Sequence, residues 1–219
     1  AAVRAEPDRL SIVSAERIGE EVVRILTEGS AKAGFELLDE TGLLAVVLPE
    51  ITAMKGCEQS PDHHPEGDVF VHTMLCLSHL PPACTETLAL GVLLHDVAKP
   101  LTAQVRDGRY TFYGHLERGA DMAGEICARL RRSRAVSERV QFLVAQHLRH
   151  CSAPDMRPAT LKRFLRQDGI DELLELTRID ASLRSTMGPV SASARYFSVE
   201  NSLTPGDPTE EIAGTVGVG

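Results

Sequence analysis

The sequence predicts an all-α protein: a helical bundle with a small helical unit ahead of it and at most one short β-hairpin. Aromatic residues make up only 4% and Trp is absent, while 43% of residues are hydrophobic. The core must therefore be built from Leu, Val, Ile and Ala, which suits packed helices better than a sandwich or barrel. Apolar residues recur three and four apart in successive segments separated by Gly and Pro, the period of amphipathic helices. One run, Leu88 to Leu94, is apolar on nearly all sides and reads as a buried helix; it ends in His95-Asp96.

The elements follow in chain order. Ser14 can cap a helix through about Glu28, with Ile18, Val22, Ile25 and Leu26 as its apolar stripe and Gly29 as its stop. A second helix, Ala31 to about Asp39, carries Phe35, Leu37 and Leu38, and Gly42 breaks it. Leu43 to Leu48 form a short apolar turn ended by Pro49. Residues 1–52 thus make a small helical unit, short for an independent core. The main body spans 53–184. Met54 to Asp68 is loop-like and holds His63-His64. A helix from Val69 to about Leu80 has Val71, Met74, Leu75 and Leu77 as its core face, with His72 among them. After the His95-Asp96 helix, an Asp107-Gly108 turn between β-prone flanks, 104–112, reads as a hairpin. Helices follow from His115 to about Arg132, from Ser137 to about Arg149, from near Pro158, and from Ile170 to about Arg184. In the first of these Gly119, Ala120, Ala123 and Gly124 form a face that allows close approach. The segment 185–219 has weak periodicity and is left as an irregular tail.

Charge and cysteine content narrow the function. A net charge of −8 gives no global basic footprint for nucleic acid and nothing that points to DNA. Between Arg129 and Arg166, however, ten Lys and Arg stand against Glu138 and Asp155. Such a stretch either tracks a phosphate backbone or is the solvated face of a few helices. The five cysteines, Cys57, Cys76, Cys84, Cys127 and Cys151, are scattered and form no C-x-x-C pair. They read as reduced core-filling thiols of a cytoplasmic protein. No apolar run reaches membrane-spanning length.

Burying an imidazole beside a carboxylate is expensive unless both are paired or bind a metal. Alone, His95-Asp96 reads first as a hydrogen-bonded pair closing a helix, and a lone His72 as structural. Together His72, His95-Asp96, His115, His147 and Asp180 place donors on successive helices. Nitrogen and carboxylate donors without thiolate suit Mn, Fe, Ni, Co or Mg better than a structural zinc. They suffice for two divalent ions with Asp96 bridging: His72, His95, Asp96 and Asp180 on one side, His115 and His147 on the other. Two ions clamp a phosphate, activate water and stabilise the leaving oxygen. Lys99, one turn after Asp96, is placed to neutralise a phosphate oxygen, and His63 or His64 to meet substrate at the mouth; a pair of loop histidines is also commonly solvent-exposed.

The order and approximate spacing of His72, His95-Asp96 and Asp180 resemble the HD phosphohydrolase superfamily, and His115 and His147 match its two-metal branches. More closely, Pro61-Asp62-His63-His64-Pro65-Glu66-Gly67-Asp68-Val69-Phe70-Val71-His72-Thr73 is similar to the HD region of bacterial tRNA nucleotidyltransferases and poly(A) polymerases. So are His95-Asp96-Val97-Ala98-Lys99-Pro100, Phe112-Tyr113-Gly114-His115 and Gly119-Ala120. Val13 to Ile18 and Gly42 to Glu50 resemble that family's RNA-binding neck. The resemblance implies an HD-domain bundle and a metal-dependent phosphohydrolase with Asp96 and Lys99 at its catalytic centre. Its substrates would be phosphomonoesters or phosphodiesters such as 2′,3′-cyclic nucleotides or RNA ends, with tRNA as a further partner. The alternative it leaves open is an RNA-binding accessory region with a structural or idle HD site. The family's nucleotide-transferring head, with its Gly-Ser turn and paired carboxylates, is absent from these residues. Gln146 stands where many relatives carry a further histidine beside His147.

Overall fold

Four of the helices begin where a short polar side chain, Ser14, Asp68, Thr85 or Ser133, accepts a free backbone N–H group. A computed structural model describes residues 10, 12–60, 66–106 and 109–184. Helix α1 spans Ala15–Thr27, and the Ser14 hydroxyl accepts from the Arg17 N–H at 3.4 Å. Helix α2 spans Ala31–Glu40. The apolar segment after Gly42 is two short helices, α3 (Leu43–Val47) and α4 (Pro49–Thr52), with Pro49 opening the second. Helix α5 (Val69–Leu77) is capped by Asp68, which accepts from Val71 N–H at 3.0 Å. It ends sooner than its apolar pattern predicts, and Val71 is 44% exposed, so Val69 and Cys76 take the core places instead.

Helix α6 (Glu86–Leu94), capped by Thr85, is the centre of the bundle. Every residue from Leu88 to Leu94 is buried, because α1, α5 and the later helices Arg134–Gln146 and Ile170–Arg184 all pack on it. His95 is its C-cap, so His95 and Asp96 leave a helix end together. Pro100 does not end α6; it lies in the first turn of the next short helix, α7 (Lys99–Thr102). Strands β1 (Gln104–Arg106) and β2 (Arg109–Thr111) pair antiparallel with Val105 opposite Tyr110. The Asp107-Gly108 turn lies outside the described residues.

Helix α8 (His115–Arg129) packs closely on α9 (Arg134–Gln146). A Cβ on Gly119 would sit 3.1 Å from Val144 Cγ1, and one on Gly124 would sit 2.5 Å from Gln141 Nε2. Only glycine permits that approach without displacement. Helix α9 starts earlier than Ser137: Ser133 caps it, accepting from Val136 N–H at 3.2 Å. The break before it carries no glycine. Arg131 takes the left-handed conformation (φ 56°), and the arginine-rich sequence hides the stop. A 3₁₀ stretch, Arg149–Asp155, leads to α10 (Pro158–Phe164) and α11 (Ile170–Arg184). The hydrophobic side chains of α1–α4 and of the later helices join one core. Among the described residues no helix is long and apolar enough to cross a membrane. The tail 185–219 lies outside the described residues.

Candidate metal centre

Five elements send their polar side chains to one buried place beside the end of α6. His72 comes from α5, His95 and Asp96 from the end of α6, His115 from the start of α8, His147 from the C-cap of α9 and Asp180 from α11. His72, His95, Asp96, His147 and Asp180 are each no more than 2% exposed. The rings form a chain. His72 to His95 is 5.4 Å between centroids, His95 to His147 is 5.2 Å, and His147 to His115 is 5.7 Å.

Backbone carbonyls set the orientation of three of these rings. His95 Nδ1–H donates to Val92 O at 2.8 Å, His115 Nδ1–H to Phe112 O at 2.7 Å, and His147 Nδ1–H to Val144 O at 2.8 Å. A carbonyl only accepts, so the proton is on Nδ1 and Nε2 faces inward, the arrangement typical of metal-binding histidines. Burial pushes the pKa of His147 down to about 3, with His95 adding to the effect, so His147 is neutral. Burial lowers that of His115 as well. For Asp96 burial acts upward, but the Lys99 ammonium outweighs it and holds the carboxyl well below its usual range.

His72 is held from both sides. Its Nδ1 meets the Glu66 carboxylate, and its Nε2 lies 3.1 Å from Asp180 Oδ1 and 3.5 Å from Cys76 Sγ. Burial opposes a charge on this ring, but hydrogen bonds to Asp180, Cys76 and Glu66 raise its pKa well above the ordinary value. A proton there takes the place a cation would otherwise fill.

The donors fall into two sets, in each of which one ligand atom per residue lies within 4.8 Å of the others: His72, Cys76, His95 and Asp180, and Asp96, His115 and His147. The sets touch where His95 Nε2 lies 3.2 Å from Asp96 Oδ2. His147 Nε2 is 3.8 Å from Asp96 Oδ1. His95 Nε2, Asp96 Oδ1 and His115 Nε2 are buried with no hydrogen-bond partner among the described residues. Leaving such atoms unpaired is costly. A divalent cation in each set would satisfy them all.

Three features differ from the sequence-based expectation. Asp96 groups with His115 and His147 and only borders the first set. A thiol, Cys76, lies within the first set, four residues after His72 on the same helix face; cysteine scatter alone cannot reveal such proximity. Lys99, expected to meet a phosphate oxygen, is only 6% exposed and already tied to the Asp96 carboxylate. Its Nζ donates to Asp96 Oδ2 at 2.8 Å and to Gln59 Oε1 at 2.6 Å, and lies 5.2 Å from the Phe112 ring centroid. Glu66 and Gln59 also escaped the sequence reading, since an acid and an amide in a loop carry no periodic signal. Gln146 bonds Arg149 at 2.9 Å and contributes nothing to either donor set. His63 and His64 lie outside the described residues.

The basic stretch divides in two. Arg129 forks onto Glu50 at 2.7 and 2.6 Å, Arg132 meets Glu86 at 3.3 Å, and Arg134 meets Glu138 at 2.7 Å. These cations tie helices together or pair locally. Around α10, by contrast, Arg157, Lys162, Arg163 and Arg166 are exposed and meet no carboxylate among the described residues.

Comparison with known proteins identifies two family models. Residues 1–55 match the probable RNA and SrmB-binding site of polymerase A, and residues 64–183 match the HD domain. The CC-adding tRNA nucleotidyltransferase of Thermus thermophilus is 37% identical over 185 residues, 81% of this chain and 41% of that protein. The multifunctional CCA protein of Halorhodospira halophila is 34% identical over 173 residues, 78% of this chain and 41% of that protein. The Acinetobacter baumannii protein of the same name is 31% identical over 185 residues, 83% and 43%. The chain thus spans about two fifths of the length of the curated relatives it matches.

Proposed function

The chain belongs to the HD-domain family, and from that premise we propose that it forms the tRNA-handling part of a CCA-type tRNA nucleotidyltransferase, with a divalent-metal phosphohydrolase site in its HD body. The comparisons favour the RNA-binding role over hydrolysis as the primary one, because the matched relatives are named for tRNA nucleotide addition. The second half of the proposal has its own support. Three buried, unpartnered ligand atoms converge between two donor sets, and a site that binds no ion gives no reason for them. This is the observation that carries the hydrolytic reading.

In this reading residues 1–52 supply the neck and 53–184 the HD body. His72, His95 and Asp180 would hold one ion, and Asp96, His115 and His147 would hold the other. The ions supply polarisation of a phosphoryl oxygen and acidification of water when bound. The protein's own groups do the rest. The backbone carbonyls of Val92, Phe112 and Val144 fix the imidazoles before any ligand arrives. Lys99 has three N–H donors; two go to Asp96 and Gln59, and the third is available to a phosphate oxygen. His63 or His64 would contact the substrate. No side-chain nucleophile is required. Phosphomonoesters and phosphodiesters, including 2′,3′-cyclic nucleotides and RNA ends, fit this chemistry. The exposed cations around α10 track the tRNA backbone.

Two measurements test the two halves. Protein purified without chelator should hold divalent metal by elemental analysis, and Asp96→Ala should lose most of it; equal metal in both sinks the hydrolytic half. In tRNA binding titrated against salt, Lys162→Ala/Arg163→Ala should reduce the slope of log affinity on log salt by roughly 1–2, as loss of one or two phosphate contacts requires. An unchanged slope removes α10 from the RNA surface.

A further inference from the structure

Cys76 is buried in the first donor set and has no part in the chemistry described above. We propose that Cys76 is a thiolate ligand of the ion held by His72, His95 and Asp180, and that it biases this position towards zinc, cobalt or nickel over magnesium and manganese. The inference rests on the metal-binding reading given under Proposed function.

The geometry around His72 carries it. Cys76 Sγ lies 3.5 Å from His72 Nε2. Two ligands of one tetrahedral ion, with metal–sulfur and metal–nitrogen bonds of about 2.3 and 2.0–2.1 Å, stand about 3.6 Å apart. A nitrogen and an oxygen at about 2.0–2.2 Å from one ion stand roughly 3–3.5 Å apart, depending on the angle, and His72 Nε2 lies 3.1 Å from Asp180 Oδ1. Both edges therefore have the lengths that shared ligation needs. The placement has a local cause. His72 and Cys76 are four apart on α5, so their side chains stack on one helix face. Glu66 on Nδ1 turns the His72 ring so that Nε2 faces both Cys76 and Asp180.

Without metal, burial keeps Cys76 as a thiol, and its sulfur accepts from the protonated His72 Nε2–H at 3.5 Å. A coordinating thiol loses its proton to solvent as the ion binds. Magnesium and manganese prefer oxygen donors, whereas thiolate and imidazole favour zinc and its neighbours. Among the described cysteines only Cys76 belongs to such a donor group.

X-ray absorption at the zinc edge tests this on the intact chain loaded with one equivalent of zinc, alongside Cys76→Ser and Cys76→Ala. The wild-type protein should show a sulfur shell at about 2.3 Å. Both variants should lose it while retaining zinc, and their preference for zinc over manganese should fall roughly tenfold or more, at least the effect of losing a supporting partner. A shell of nitrogen and oxygen alone in the wild-type protein overturns the proposal and leaves the thiol as a hydrogen-bond partner of His72. A sulfur shell that persists in both variants assigns the sulfur to another cysteine and overturns it equally. If the wild-type protein binds no zinc or other divalent ion, the metal-binding reading itself fails.

Discussion

Replacing Lys99 by Met would remove a buried ammonium without removing bulk. Its Nζ sits 2.8 Å from Asp96 Oδ2 and 2.6 Å from Gln59 Oε1, in a place where Lys99 and Asp96 are 6% and 2% exposed. Losing one partner of a buried ion pair costs about 3–5 kcal/mol, because the other charge remains without compensation. For a chain of this size each kcal/mol lowers the melting temperature by about 2–4 °C, so metal-free Lys99→Met should melt roughly 6–20 °C below wild type. Asp96→Asn should be destabilised in the same direction. The double variant removes both charges, and its loss should fall short of the sum of the single losses by about 0.5–3 kcal/mol, the range for groups in direct contact. Bound metal changes the balance, since a divalent ion neutralises Asp96 in place of the lysine. The Lys99→Met deficit should therefore shrink when saturating metal replaces chelator. Thermal melts of the four proteins, with chelator and with metal, measure all three quantities. Additive single losses, or a Lys99→Met deficit that ignores metal, would refute the picture of Lys99 as the resident counter-charge of Asp96.

Two further outcomes follow from neighbouring contacts. Glu66→Gln should weaken divalent-metal binding about 10–100-fold, the usual effect of losing a carboxylate behind a ligating histidine; unchanged affinity in a calorimetric titration would contradict the role given to Glu66. Glu50→Gln should cost about 1 kcal/mol at pH 7, a modest value because the Arg129 pair is partly exposed. Burial raises the Glu50 pKa, but the bonds from Arg129 outweigh it and leave the folded value below the ordinary 4.5. A depressed carboxylate stabilises the fold above its unfolded pKa and loses that effect as pH falls through the folded pKa. The wild-type advantage over Glu50→Gln should therefore be full above about pH 5 and vanish in strong acid; an advantage that persists there would show that the pair is not its source.

The legibility of the chain depended on how local each signal was. Ser14 and Gly42 mark their helices because capping and chain reversal are decided within a few residues. The apolar run 88–94 announced a buried helix because no solvent-facing position interrupts it. The start of α9 was less visible: Arg131 adopts a left-handed conformation without being glycine, so Ser133 is hidden in a charged run. At the metal centre the six His and Asp donors stood out because such groups are rarely placed in apolar helices without cause. Cys76 and Gln59 did not, because a cysteine in an apolar helix reads as core filler and an amide in a loop as surface. Only the packing of α5 against α6 and α11, and the fold of 54–60 over Lys99, turns them inward. The division of the donors into two sets likewise depends on where Asp96 points from a helix end, which spacing does not determine.

The central claim is tested most directly by steady-state hydrolysis of bis-p-nitrophenyl phosphate and 2′,3′-cyclic AMP by the intact chain, with Mn, Co, Ni, Zn and Mg supplied in turn and Asp96→Ala as the reference. At least one metal should support turnover of one of these phosphodiesters, and Asp96→Ala, which borders both ions, should abolish it. If no metal raises turnover of either substrate above the Asp96→Ala background, the hydrolytic half of the proposed function is contradicted.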